Sequence, residues 1–346
     1  MKAIVLHEYG LPEVLRYQEV ADPLPRAGEI RVQVHAATVN RVLDVSLRAG
    51  KEMARGATLP LIPGVDCAGT VDAVGSQVSR WRVGDRVAAA GIMPLDICAE
   101  DGGGYEGPRG MMGIKRPGGF AELVAVPACA AVALPDALDF HRAAVVLRHV
   151  PTAWNLLMHV AKLTFDETVL IMGAGGNLGT IGIQIAKNVI GARVIAAAGS
   201  DERVALGKTL GADHGVNYAS ENIFDAVMTI TGGKGVDVLY DNIANPAVLP
   251  AAFRTIGMHG RLVTAGAHAG PEVAIDFAHL YHKRITIKGV PGYTLADLPH
   301  CLAAAAQGKI IPQIERVLPL SQAAEAHRMI ERHEGHGKIV LDPTLG

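Results

Sequence analysis

"ETVLIMGAGGNLGTIGIQIAKNVI", residues 167–190, decides the fold. An apolar run of strand length meets a glycine-rich turn. The turn opens a helical pattern that sets Ile181, Ile185 and Val189 on one face. Taken from Ala174, the turn spells A-x-G-x-x-G, with Gly176 and Gly179 bracketing Asn177 and Leu178. This spacing suits a dinucleotide. Gly176 lets the backbone approach a pyrophosphate, Gly179 lets helix and strand pack closely, and the helix N-terminus supplies positive potential. A glycine fingerprint alone is equally a tight turn; its place at a strand-to-helix junction makes it specific.

Working outward, the pattern repeats. Strand "ARVIAAAG", helix "DERVALGKTLGA", strand "HGVNY", helix "NIFDAVMTITG", strand "VDVLYDNI" and helix "AVLPAAFRTIG" follow, then strands "GRLVTAGA" and "RITIKGV". Such alternation predicts an α/β fold with a Rossmann-type, doubly wound parallel sheet. Upstream, "KAIVLHEY", "EIRVQVHAAT", "CAGTVDAVG", "DRVAAAG" and "GGFAELVAVP" are short strands broken by Gly and Pro, the pattern of a β-rich, barrel-like domain. The last segment, "VLPLSQAAEAHRMIERHEGHGKIVL", adds a helix and a strand that return to that first domain. The expected division is 1–127 with 291–346 for the β-rich domain and 128–290 for the dinucleotide-binding domain.

Composition narrows the function classes. The chain has 346 residues, 49% hydrophobic and 19% charged, with a net charge of −2, as in ordinary globular enzymes. No basic block points to nucleic acid. No apolar run reaches the ~18 residues of a membrane span, and "MKAIVLHEYG" lacks a signal-peptide core. Cys67, Cys98, Cys129 and Cys301 are scattered without a C-x-x-C pair, which argues against a disulfide framework and for a reduced, cytoplasmic protein.

The end of the second Rossmann strand reads out the cofactor. Folds that bind NAD place Asp or Glu about 20 residues beyond the fingerprint to hold the ribose 2′-hydroxyl. Here "RVIAAAGSDER" ends in Ala198, Gly199 and Ser200, and Arg203 lies just beyond, where a guanidinium pairs well with a 2′-phosphate. Asp201 is the counter-signal, and a solvated residue in the first helical turn is the alternative for Arg203. The balance favours NADPH over NADH.

With these motifs in hand, the chain resembles the medium-chain dehydrogenase/reductase superfamily, nearest to its zinc-free quinone oxidoreductase-like branch. The resemblance covers nearly the whole length. "MKAIVLHEYGLPEVL", "PGVDCAGTVDAVGSQVSRWRVGDRV", "GGFAELVAVP", "HVPTAWNLL", "LGADHGVNY", "TGGKGVDVLYDNI", "GRLVTAGA" and "AAEAHRMIERHEGHGKIVL" fall in family order. It implies a GroES-like catalytic domain built from both chain ends, a Rossmann domain, and a cleft for nicotinamide and a small-molecule substrate. It also implies a homodimer paired through "ITIKGV". Arg203 takes the basic 2′-phosphate position and Tyr218 the adenosine side, although Tyr218 is equally a core-packing strand end. Asn242, Gly266 and Ala267 fall near the nicotinamide ribose.

The same resemblance argues against zinc. The first catalytic ligand of zinc-bearing relatives falls in "AATVNRVLDVSLRAG", on Asn40 counted from upstream or Arg41 counted back from Asp44. The second falls on Val65 and the third on Arg148. Valine cannot coordinate and arginine stays protonated. Cys67, without partners, is expected to be a small buried hydrophobe. What remains around the implied pocket is Arg148, His149 and Asn40 or Arg41. These suit the reduction of a double bond conjugated to a carbonyl, whose oxygen gathers negative charge and needs donors. For Arg148 the alternative is a structural ion pair with Asp44 or Asp66. The extra residue in "TVNRVLD" departs from the usual N-x-x-D spacing. His327, His333 and His336 are expected on a solvated helix end.

The structural-zinc lobe of such relatives corresponds to "CAEDGGGYEGPRGMMGIKRPGGFAEL", with the four ligand positions on Ile92, Leu95, Cys98 and Glu106. Two aliphatic residues leave no tetrahedral set. The expectation is a lobe without its metal staple, with Ile92 and Leu95 in a small apolar contact and "GGGYEG" loose. Three functions stay open: a quinone or enone reductase, an alcohol or carbonyl dehydrogenase with atypical metal use, and an NADPH-binding redox sensor with little turnover.

Overall fold

The computed structural model describes residues 1–101, 105–290, 292–332 and 337–346. They form two units: Met1–Arg148 with Leu298–Ala306 and Pro312–Gly346, and His149–Asp297 with Gln307–Ile311.

In the first unit the strands are β1 (Lys2–Leu6), β2 (Leu15–Glu19), β3 (Glu29–Val39), β4 (Asp66–Val74), β5 (Arg86–Ala90), β6 (Ile92–Pro94), β7 (Arg109–Met111), β8 (Leu123–Pro127) and β9 (Ala131–Ala133). A short helix α1 (Ser46–Arg48) and the long α2 (Phe140–Trp154) complete its first part. Strand β3 is the hub. It pairs antiparallel with β4 along most of its length, while its first half also pairs with β8. Ile30, Val32 and Val34 alternate on one face of β3 and join Cys67, Val87 and Val126 in a buried core, as a period of two requires.

The second unit is a six-stranded sheet of β10 (Thr168–Met172), β11 (Arg193–Ala198), β12 (His214–Asn217), β13 (Val236–Tyr240), β14 (Ile256–Thr264) and β15 (Thr286–Gly289). Its order is β12-β11-β10-β13-β14-β15 and every pair is parallel. This is the doubly wound Rossmann order, which reverses between β10 and β13 and places ligands outside the carboxyl ends of the strands there. The helices are α3 (Asn177–Gln184), α4 (Asp201–Thr209), α5 (Ile223–Ile230), α6 (Leu249–Phe253) and α7 (Phe277–Lys283). Val169–Met172 of β10 are at most 2% exposed, the burial a parallel strand covered on both faces demands. In the "AVLPAAFRTIG" stretch the helix stops at Phe253, and Ile256 already begins β14.

Helix α8 (Leu298–Ala306), strand β16 (Ile314–Pro319), helix α9 (Ala323–Glu331) and strand β17 (Lys338–Asp342) belong to the first unit. Strand β17 pairs antiparallel with the second half of β3, and β16 pairs parallel to β17. Sequence reading missed β16, because only Leu318 along it is buried and no apolar alternation marks it. The chain is thus an α/β protein with a parallel Rossmann sheet and a β-rich, GroES-like unit.

One expectation for α9 is overturned. His327 is wholly buried rather than solvated, edge-on to Phe120 with ring centroids 6.3 Å apart. The amphipathic helix turns Ala323, Ala326, His327 and Met329 inward together. His333 and His336 lie outside the described residues.

Candidate functional site

The glycine turn of the second unit is built for close approach. Gly176 caps α3 with extended backbone and no side-chain cap, so the first-turn N–H groups of Asn177 and Leu178 are left to an outside acceptor. A Cβ on Gly176 would meet only the Gly173 carbonyl oxygen, at 3.4 Å, so the turn faces open space. A Cβ on Gly179 would lie 2.1 Å from that same oxygen, which excludes any side chain at the helix–strand contact. Ala174 is fully buried and its N–H donates to Ala197 O, while Tyr240 Oη donates to Leu178 O and ties α3 to β13.

Three of the expected cofactor contacts gather at the tips of β11 and β12. Ser200 caps α4 by accepting from the Arg203 N–H. The Arg203 stem crosses Gly175, where a Cβ would meet its Cγ at 2.6 Å. The Tyr218 ring lies on Gly199, at 3.1 Å from a Cβ placed there. Burial pushes the Tyr218 phenol up, and the Arg203 charge acts against that. The counter-signal, Asp201, accepts a 2.7 Å hydrogen bond from Asn217 Nδ2. Beyond β13, Asn242 Oδ1 accepts from Ala265 N and its side chain also hydrogen-bonds the buried Tyr240 phenol, while the Asp241 carboxylate accepts from the backbone of Ala244 and Ile243. Burial raises the Asp241 carboxyl. Gly266 packs on the Asn242 carbonyl oxygen, and Ala267 beside it is exposed. The uncapped N-terminus of α3 and the exposed strand-end loops beside it fit a dinucleotide.

The first unit holds a buried polar cluster. Asp66, at the head of β4, accepts at 2.6 Å from both the N–H and the Oγ1 of Thr38. Asn40 Nδ2 donates to Thr38 O, Thr38 Oγ1 and Asp66 Oδ2, and Asn40 Oδ1 accepts from Lys338 Nζ at 2.7 Å. The extra residue of "TVNRVLD" is absorbed by a π-type turn over Arg41–Val45, in which Val45 N reaches back to Asn40 O. The turn sends Asp44 Oδ2 to accept from Asn40 N at 2.8 Å and leaves Arg41 on the exposed side. Asp44 and Asp66 are wholly inaccessible, and Lys338 is 6% exposed.

Burial and the neighbouring Asp66 push the Asp44 carboxyl up to about 7, against the hydrogen bonds of Asn40 and the charge of Lys338. Burial also raises Asp66, against Thr38, Lys338 and Arg148. The same desolvation brings Lys338 down to about 8, with Asp66 opposing. Arg148 and His149 follow one another on α2, each half-buried. Sequence reading missed Thr38 and Lys338. The available signals were the T-x-N alternation at the end of β3 and a lysine at the head of an otherwise apolar strand.

Residues 177–307 match the family described as zinc-binding dehydrogenase, and residues 26–136 match the alcohol dehydrogenase GroES-like domain. The quinone oxidoreductase of Sus scrofa is 33% identical over 349 residues, spanning 99% of this chain and 97% of that protein. The chain belongs to the medium-chain dehydrogenase/reductase superfamily, in its quinone oxidoreductase-like branch. It is an NAD(P)-dependent oxidoreductase. A quinone oxidoreductase of Pseudomonas aeruginosa is 31% identical over 99% of both chains. A solved structure of an NAD-dependent alcohol dehydrogenase superposes with a TM-score of 0.87 at 33% identity, over 99% of both chains.

The donor set of this superfamily member does not fit a catalytic zinc. Val65 is packed in the apolar core, and Cys67 lies in a second core where burial raises its thiol. The two carboxylates are engaged by Thr38 and Asn40 and face the cations of Lys338 and Arg148. Among the described residues no three His, Cys, Asp or Glu side chains converge. In the lobe, β6 and β7 form a small antiparallel pair. Ile92 is 57% exposed and makes no apolar staple, because the pleat turns it outward; Leu95 instead packs on Gly110. Cys98 is buried, Glu106 is exposed, and the glycines 102–104 of "GGGYEG" lie outside the described residues.

Proposed function

We propose that this protein is an NADPH-dependent reductase of quinones or α,β-unsaturated carbonyls that works without zinc, as a cytoplasmic homodimer. The observation that carries this reading is the buried Asn40–Asp44–Asp66–Lys338 cluster, with the Arg148 charge acting on it: Asn40 and Arg148 stand at two positions the superfamily would give to metal ligands, and the apolar Val65 at the third.

The cofactor residues divide by the group they would hold. Ala174, Gly176, Asn177, Leu178 and Gly179 take the pyrophosphate at the uncapped end of α3. Ser200, Arg203 and Tyr218 take the adenosine end, where the β11 tip carries no carboxylate, which supports NADPH over NADH. Asn242, Gly266 and Ala267 take the nicotinamide ribose. The bound cofactor supplies a hydride to the carbon conjugated with the carbonyl.

Arg148 holds the substrate oxygen as it gathers negative charge, and His149 hydrogen-bonds it or passes it a proton. Asn40 is a positioning residue, since its amide hydrogens and its oxygen are all engaged inside the cluster. Arg41 stands on the outer side of the same turn. Dimerisation through β15 is supported by an exposed edge strand, with Ile287 at 44%, beside Phe277 at 73% and Tyr281 at 64% exposure.

A second reading, an alcohol or carbonyl dehydrogenase of the same superfamily with atypical metal use, is favoured by the likeness to the NAD-dependent alcohol dehydrogenase. Steady-state oxidation of NADPH against quinones, enones and ketones, and reduction of NADP⁺ by alcohols, with and without chelator, separates the readings. Chelator-resistant turnover of quinones or enones supports the first reading, and chelator-sensitive turnover of alcohols the second. Tight NADPH binding without turnover leaves a redox sensor.

A further inference from the structure

We propose that Cys98 and Cys129 form a reversible disulfide that staples the lobe after β6 to the corner between β8 and β9. Their sulfur atoms lie 3.5 Å apart although 31 positions separate them in the chain, and both are free thiols. A disulfide needs about 2.05 Å between sulfurs, so closure asks for a movement of about 1.5 Å, within reach of side-chain rotation.

The backbone holds the two segments in register. Gly28, at φ +79°, is the shared abutment: its carbonyl oxygen accepts from Ala128 N, and a Cβ on it would sit 2.4 Å from Cys98 O. On the Cys129 side, Ala128 O also accepts from Trp81 Nε1 at 3.0 Å. On the Cys98 side, the Glu100 carboxylate accepts from Ser79 N, Ser79 Oγ and Arg80 N. The chain from Ser79 to Trp81 therefore grips both partners, and the two thiols face each other across a fixed frame. Cys67 and Cys301 are fully buried, whereas Cys129 is only half-buried and open to a reagent.

The oxidant is a low-molecular-weight disulfide such as oxidised glutathione. The Cys129 thiolate attacks one of its sulfurs, breaking that S–S bond and releasing one glutathione thiolate. The Cys98 thiolate then attacks the Cys129 sulfur of the mixed disulfide, forming the Cys98–Cys129 bond and expelling the second glutathione. The protein loses two electrons, glutathione disulfide gains them, and the two thiol protons end on the two released thiols. Burial and the adjoining Cys98 push the Cys129 thiol up to about 12, against the charge of Arg109, so exchange at neutral pH is slow and the reduced pair persists without oxidant. A closed pair shortens the freedom of the unfolded chain across the lobe.

The test equilibrates the full-length protein with oxidised glutathione or with reduced glutathione, quenches with an alkylating reagent, and maps the peptides by mass. The expected result is a Cys98–Cys129 cross-link in the oxidised sample, with Cys67 and Cys301 remaining thiols. The thermal midpoint then rises by about 4 °C or more over the reduced protein. Cys129→Ser loses both the cross-link and the rise; if that variant does not fold, the two forms of the wild type decide alone. A glutathione adduct that stops on Cys129, no cross-link at all, or a cross-linked form that melts no higher overturns the proposal. None of these readouts depends on reductase activity.

Discussion

Lys338 donates from its ammonium to the amide oxygen of Asn40 across 2.7 Å, joining the head of the last strand to the end of β3 over 298 positions of chain. The contact exists because β17 pairs with β3 next to it, Ile339 opposite Val39. It brings a buried cation beside two buried carboxylates, so the cluster stands or falls as a unit.

Removing that cation exposes the carboxylates to their full desolvation cost. Lys338→Met is expected to lower unfolding stability by about 3 kcal/mol or more at about pH 7.5, between the Asp44 and Lys338 values, where both are mostly charged. Asp44 has its folded pKa raised to about 7, so its contribution is fully present below the unfolded value of 3.8 and is lost as pH rises through 7. Protonated Asp44 needs the ammonium least, and the penalty therefore shrinks at pH 5.5. Urea titrations at both pH values check this; an equal penalty at both excludes the coupling.

Arg203 tests cofactor choice. Arg203→Ala should raise KM for NADPH about tenfold or more and leave kcat and the NADH parameters nearly unchanged, because only the 2′-phosphate loses a partner. Equal losses with both cofactors would assign Arg203 to packing over Gly175 instead.

Arg148→Ala is expected to lower kcat about 100-fold while NADPH still binds, the loss typical of a donor to a developing oxyanion. An unchanged kcat means that Arg148 only balances charge in the cluster.

His327 gives an acid-stability signature. Burial, with Arg48 nearby, brings its pKa down from 6.5 to about 3, and neither ring nitrogen has a partner. The folded pKa is depressed, so the unfolded chain binds more protons between those values, and stability falls on acidification through that window. His327→Leu should remove up to about 1.4 kcal/mol per pH unit of that slope. Urea midpoints from pH 6.5 to 4 read it directly, and parallel slopes for both proteins contradict it.

The sequence was most legible where function and fold use the same short segment. "GAGGNLG" carries in seven residues both the steric need for Gly179 and the open helix end. The bare tip of β11 was equally local. The buried cluster was not legible, because its partners come from β3, β4 and β17, and only strand pairing makes Thr38, Asp66 and Lys338 neighbours. The Asn40-or-Arg41 ambiguity had a local cause that spacing alone does not reveal: a π-type turn takes up one residue and keeps Asn40 beside Asp44. The Cys98–Cys129 contact was hidden in the same way by the fold of the lobe.

Hydride transfer from NADPH to a quinone or enone without zinc is open to direct measurement. The most direct measurement is the initial rate of NADPH oxidation with a simple quinone and a simple enone, before and after exhaustive chelation and buffer exchange. The expected result is the same rate in both samples, higher with NADPH than with NADH. A rate lost on chelation and restored by added zinc contradicts it.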